Sequence, residues 1–344
     1  MVIPTKLENA MNRFLAIAFV LNATGSLLVA QRPSPSNEQN PVVMHQLTPT
    51  IYWAEGGVSN SGIIIGESGV IVVDAKMTAA SAKEMLDDIA KITSKPVVAL
   101  ILTHSDGDHI GGMSAFPAGI QIIAHQNCAT EMQQPQNRPG GGQGGPQGGQ
   151  GTPQGPSQAG SQSGQGMPSG GPGGAQGPPA GGEMAQTAKR MPNKIIAGNR
   201  EEMTVAGVHL VLLHWVPAHT TGDLVIDLPD QKIVFAGDLL TENPTPLIHL
   251  EKHGSSEGWI TSATGLAALN ADRYVPGHGD VTDAASIRAL VAKFAAIREK
   301  MKGLVAQGKT LDEVKAAVGD PTPAGARFPS FIDVVYQELA QKAN

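Results

Sequence analysis

The sequence predicts an α/β protein in which two sheets pack face to face, with helices outside. Three observations predict it. β-branched runs fall into two blocks, each followed by helical spacing. The run "PVVALILTH" (96–104) is apolar without alternation, the mark of a strand buried on both faces. The C-terminal region, led by "DAASIRALVAKFAAIREKMKGLVAQG", reads as helix.

In chain order, Arg13 precedes the apolar "FLAIAFVL", and "NATGS" and "LLVAQ" follow. A basic start, a short apolar stretch and a small residue at Ala30 predict an export signal over 1–30, with Met11 as an alternative start. The apolar run is too short to span a bilayer comfortably. The mature chain is therefore expected outside the cytoplasm, periplasmic or extracellular, with no stable membrane insertion. The proline-rich 31–41 reads as a flexible lead-in to one domain over 42–344.

That domain opens on antiparallel strands, "VVMHQLTPTIYWAEGG" and "SGIIIGESGVIVVDA", with "GESG" as a turn. Residues 79–94 have helical spacing, and "GIQIIAH" (119–125) is another strand. From Pro139 to Gly182 there is no charged residue and only one large apolar side chain, Met167. Such a segment cannot bury enough apolar surface to offset its ordering entropy. A disordered Gly/Gln/Pro-rich insertion is expected at about 136–188. Order resumes near Lys194 with "KIIAGN", "EEMTVAGVHLVLLHWV" and "DLVIDLPDQKIVFAGDLL" as strands. "SEGWITSATGLAAL" follows as a helix, and "RYVPGHGD" as a short strand and loop. In "TLDEVKAAV", Thr310 and Glu313 form a capping box.

The net charge of −6 disfavours a phosphate backbone as partner, since such binding uses lysine and arginine. A single cysteine, Cys128, excludes an internal disulfide framework and a cysteine-rich zinc knuckle. What stands out is "THSDGDH", which crowds His104, Asp106, Asp108 and His109 into one loop after a buried strand. Imidazoles and carboxylates converging from one turn suit Zn²⁺, Fe or Mn²⁺. A capping turn would explain one aspartate but not both histidines. Three later strand-end loops add His219 in "HTTGD", Asp238 in "FAGD" and His278 in "PGHG".

This ordered series, with Asp74 ahead of it, resembles the metallo-β-lactamase superfamily from about residue 42 onward. The resemblance implies an αββα four-layer sandwich with a C-terminal helical extension and a dinuclear metal site at the edge of the sheets. It implies that His104, Asp106 and His219 bind a first metal. Asp108, His109 and His278 would bind a second, and Asp238 would bridge both. Asp74 would brace the metal loop. One departure matters: the family pattern is His-x-His-x-Asp-His, and here Asp106 replaces the second histidine. The first site then weakens or takes a harder ion, Mn²⁺ or Fe, in place of zinc.

The implied activity is hydrolysis of an ester, thioester, lactone or lactam by a metal-bound hydroxide, with Asp108 orienting the nucleophile. Asp238 stands where some β-lactamases carry a cysteine, which leans towards glyoxalase II-like substrates. A true β-lactamase stays open, as does a mononuclear, persulfide-dioxygenase-like iron oxidoreductase. A metal-binding protein weakened by Asp106 is the non-enzymatic alternative. The expected partner is a small-molecule substrate, not nucleic acid, and the sequence sets no oligomeric state. Among the remaining candidates, His125 reads as a strand-end surface residue and His209 and His214 as sheet-surface residues. His249 and His253 lie near the expected metal mouth, within reach of substrate, and His45 has no evident role. Trp53, Trp215 and Trp259 read as packing and Cys128 as a buried thiol.

Overall fold

Side-chain alternation along the strands decides which layer each residue joins. In the computed structural model, which describes residues 40–134 and 190–343 except Pro244, Ala324 and Arg327, four layers result. The expected export signal, nearly all of the lead-in and the whole insertion lie outside the described residues.

The first sheet has seven strands in sequential order: β1 (Val43–Thr48), β2 (Ile51–Glu55), β3 (Ser61–Ile65), β4 (Val70–Val73), β5 (Val97–Ile101), β6 (Gln121–His125) and β7 (Lys194–Ile196). β1 to β4 are antiparallel neighbours. From β4 onward the pairing is parallel, because helix α1 (Ala79–Ile92) carries the chain back across the sheet after β4. The second sheet orders β8 (Arg200–Val205), β9 (Val208–Leu213), β10 (Val225–Leu228), β11 (Ile233–Gly237) and β12 (Arg273–Pro276) as β12-β11-β10-β9-β8. Only β11 and β12 run parallel there, joined through α4 (Ser256–Ala267). Two short helices, α2 (Gly107–Ile110) and α3 (Gln126–Glu131), follow β5 and β6.

In β4, Ile71 and Val73 enter the core between the sheets, whereas Val70 and Val72 pack towards α1. In β5, Ala99 and Ile101 face the partner sheet and Leu100 faces the helix. That is the two-sided burial read from "PVVALILTH". In β11, Ile233 and Phe235 fill the inter-sheet core, while Val234 and Ala236 meet the C-terminal helices. The sheets approach so closely at Gly62 that an added Cβ would lie 2.5 Å from the Phe235 ring. The outer layer on the second sheet comprises α4, α5 (Ala284–Ala306), α6 (Leu311–Val318) and α7 (Phe331–Ala343). The Thr310–Glu313 capping box opens α6. Among the described residues, no helix is long and apolar enough to cross a membrane.

β4, β5, β11 and β12 end at one edge, and the next residues are Asp74, Leu102–His104, Asp238 and the His278 loop. The edges are tied together there: the Asn60 N–H donates to the Gly277 carbonyl at 2.7 Å, and Asn60 Nδ2 donates to the carbonyls of Pro276 and Gly279.

Candidate metal centre

The seven residues singled out as ligands converge on this edge in two groups. His104, Asp106, His219 and Asp238 have ligand atoms within 4.8 Å of one another, as do Asp108, His109 and His278. Local sequence explains how. Gly237 has φ 54°, and a Cβ there would meet Thr103 at 2.7 Å, so glycine lets the chain turn and present Asp238. A Cβ on Gly277 would collide with Asp238 Oδ1, so the "PGHG" glycine makes room for that carboxylate. After β9, Asp223 accepts from the Thr220 N–H at 3.0 Å and from its hydroxyl at 2.7 Å, holding the loop that carries His219.

Asp74 sits behind the centre with φ 62°. Its Oδ1 accepts from the Thr103 N–H at 2.8 Å, and its Oδ2 from the Thr103 hydroxyl at 2.7 Å. His109 Nδ1 donates to the same Oδ2 at 2.8 Å. The Thr103 hydroxyl, its proton given to Asp74, accepts from His104 Nδ1 at 2.9 Å. His219 Nδ1 donates to the Leu247 carbonyl at 2.9 Å. Each of these imidazoles has its Nδ1–H committed, so each turns a bare Nε2 inward.

Those inward atoms test whether a cation fits. Among the described residues, five buried side-chain atoms lack a well-formed hydrogen bond, and three of them are His104 Nε2, His109 Nε2 and Asp238 Oδ1, the last two facing each other at 3.2 Å. Orphaned buried polar atoms are costly. Three such atoms on candidate ligands, facing carboxylates, are what a cation-binding cluster presents. The residues therefore fit divalent metal ions.

Electrostatics agree. Burial pushes Asp106 and Asp238 up, but the surrounding imidazoles overcome it and hold both carboxyls well below the usual range. Burial also opposes charge on His278, yet Asp108 and Asp238 raise it to about 10. His109, fully buried, is raised well above the ordinary value by Asp238, Asp108 and Asp74 against its desolvation. In this edge a positive charge is strongly favoured.

Some features escaped the sequence reading. Lys252, only 9% exposed, donates to Asp106 Oδ1 and to Ser105 Oγ. Ser105 in turn donates to Glu131 at 2.5 Å. His249, expected near the metal mouth, reaches the cluster itself: its Nε2 lies 2.9 Å from Asp106 Oδ2. The only signal for either was their position in the charged "HLEKH". Lys76 is fully buried and donates to the carbonyls of Ala54, Gly56 and Ser59, while Ser59 donates to the Asp108 carbonyl at 2.6 Å. Two expectations are corrected. His125 and His214 are not surface residues: they are 3% and 7% exposed and stack at 4.0 Å, because the α3 and 199–223 segments close over them. His209 is partly exposed between Glu202 and Asp230, His45 stacks on Trp53 at 4.4 Å, His253 ends a short turn at φ 54°, and Cys128 is buried. Beside His278 a cleft opens, lined by Leu240, Glu242, Asp280, Ile287 and Leu290 among others.

Comparison with known proteins places these observations. The profile of the metallo-beta-lactamase superfamily matches residues 54–278. The chain is 24% identical over 249 residues to the 2,4-dinitroanisole O-demethylase subunit alpha of Nocardioides sp. (strain JS1661), covering 72% of this chain and 60% of that one. The stereoselective inverting sec-alkylsulfatase Pisa1 from Pseudomonas sp. superposes with TM-score 0.57 at 18% identity, over 88% of this chain and 50% of its own. A metallo-beta-lactamase from Pontibacter korlensis superposes with TM-score 0.52 at 17% identity, over 73% of this chain and 99% of its own. The chain thus spans 60% of the demethylase subunit and half of the alkylsulfatase. At these identities the structural likeness shows the fold.

Proposed function

For a chain that belongs to the metallo-β-lactamase superfamily, we propose metal-dependent hydrolysis of a small, uncharged acyl substrate: an ester, thioester, lactone or lactam. The observation that carries this is the convergence of bare imidazole nitrogens on three carboxylates, with three buried atoms left orphaned. His104, Asp106 and His219 would hold one ion, Asp108, His109 and His278 another, and Asp238 stands between them. Such ions, when bound, lower the pKa of water and polarise a substrate oxygen.

The chain's own residues divide the remaining work. Asp108 has a side chain 21% exposed, with Oδ2 3.1 Å from His278 Nε2, so it is both in the centre and open to solvent. It is placed to orient a water and to take its proton. Asp74 holds the His109 tautomer. The cleft supports an uncharged substrate: Leu240, Ile287 and Leu290 offer apolar contact, and Glu242 and Asp280 oppose an anion such as a sulfate ester. Zinc is the ion best suited to the histidine-rich set. The partner is a small molecule, and the "FLAIAFVL" segment supports export.

Elemental mass spectrometry on protein purified without added metal, followed by a panel of ester, thioester, lactone, lactam and sulfate ester substrates, tests this reading. Zinc with acyl hydrolysis supports it; absence of any bound metal overturns it. One specific observation favours a second reading. Asp108, His109 and His278 form a two-histidine, one-carboxylate set, the pattern of non-haem iron(II) sites. Bound iron with oxygen consumption would select that alternative.

A further inference from the structure

Asp106 is where this chain departs from the family pattern, and several side chains meet there. His219 Nε2 lies 3.2 Å from Asp106 Oδ2, His249 Nε2 lies 2.9 Å from the same oxygen, and Lys252 donates to Oδ1. His249 is built as the other inward histidines are. Its Nδ1 donates to Glu251 Oε1 at 2.6 Å, which leaves Nε2 as the inward atom. An imidazole tied to a carboxylate at one nitrogen is the usual arrangement of a metal ligand. A bare nitrogen 2.9 Å from a carboxylate oxygen is repelled unless a cation or proton stands between them.

The backbone fixes this placement. The His249 N–H donates to the His219 carbonyl at 2.9 Å, while the Leu247 carbonyl accepts from His219 Nδ1. The His249 and His219 rings meet edge to face at 4.9 Å. Gly254 closes the segment: a Cβ there would lie 2.7 Å from the Ala218 carbonyl. Metal–ligand bonds of about 2.0–2.1 Å in a tetrahedron set ligand atoms about 3.3 Å apart. The Nε2 atoms of His104, His219 and His249 stand 3.7, 3.2 and 2.9 Å from Asp106 Oδ2, bracketing that value.

We propose that His249 is a further metal ligand of the His104–Asp106–His219 half-site, supplying the imidazole that a histidine at position 106 would supply. Lys252 is its companion positioning residue: it holds Asp106 Oδ1 and offsets the charge that the aspartate adds. The inference rests on the metal-centre reading above.

The test is zinc titration of the full chain against a competing chelator, with elemental analysis and Co²⁺ absorption spectra. Two zinc ions are expected in the unaltered protein. His249→Ala should keep one tight ion and weaken the other by at least about 100-fold, since even residues that only brace a ligand cost 10–100-fold. It should also change the Co²⁺ spectrum. Glu251→Gln and Lys252→Met should each weaken that ion about 10-fold, and they carry the test if His249→Ala does not fold. Two zinc ions of unchanged affinity and an unchanged Co²⁺ spectrum in a folded His249→Ala would overturn the inference and leave His249 as an ion-pair partner. A single ion, lost in Asp108→Ala and untouched by His249→Ala, would also overturn it while the other half-site stands. No zinc in the unaltered protein would instead overturn the metal-centre reading itself.

Discussion

Asp106 and Asp108 are two residues apart in one loop, yet the half-sites they serve are built differently. Asp108 has one oxygen against His278 and His109, and its side chain is 21% exposed. Asp106 is 13% exposed and enclosed, with one oxygen among imidazoles and the other held by Lys252. A carboxylate that faces solvent can move a proton; one locked at both oxygens can only hold position and charge. Identical residue types at near-identical positions thus meet different surroundings because of what long-range packing sets against them, and the proposed function gives them different tasks.

The largest expected effect follows from that division. Asp108→Ala should lower kcat/KM by at least about 10³-fold, or about 4 kcal/mol of barrier, with an unchanged circular dichroism spectrum. Near wild-type rates would sink its assignment, and a larger loss in Asp106→Ala would exchange the two roles. Next, Asp106→His restores a nitrogen but strands Lys252, which is 9% exposed. Breaking a buried ion pair costs about 3–5 kcal/mol, so thermal or urea unfolding should show a clear loss. Adding Lys252→Met should recover part of it; strictly additive effects would mean the pair is not coupled.

Asp74→Asn sharpens the comparison from behind. Asp74 touches His109 directly but reaches His104 only through Thr103. Zinc affinity should fall about 10–100-fold at the Asp108 half-site and less at the other. Equal losses in competition titrations would show that Thr103 transmits the whole effect.

The smallest effect lies outside both half-sites and sets the baseline for reading their pH dependence. Burial, then the neighbouring His214, lowers His125 from 6.5 to about 4. Between those values the unfolded chain binds more protons than the folded one, so stability falls as pH drops from 6.5 towards 4. His125→Phe should remove that acid sensitivity, seen as a flatter plot of unfolding free energy against pH. An unchanged slope would assign the acid sensitivity elsewhere.

Much of this was legible without coordinates. "PVVALILTH" announced a strand buried on both faces, and Ala99, Leu100 and Ile101 take alternate layers as it required. Thr310 and Glu313 cap their helix as their spacing predicted. The "THSDGDH", "HTTGD", "FAGD" and "PGHG" loops could be read as one constellation because each is a contiguous strand-end segment, with glycines where the backbone must turn or make room. Lys252 and His249 could not be read in that way. Lys252 lies 146 residues from Asp106, and no local periodicity links them. The His125–His214 stack escaped for the same reason: its rings come from segments far apart in the chain, and locally His125 reads as a strand end and His214 as part of an alternating run. The sequence by itself determined the layers and the strand-end loops, because propensity, alternation and glycine placement act over a few residues. Only the tertiary structure decided what encloses Asp106, because strand order and the path of the 247–254 segment bring distant side chains to one oxygen.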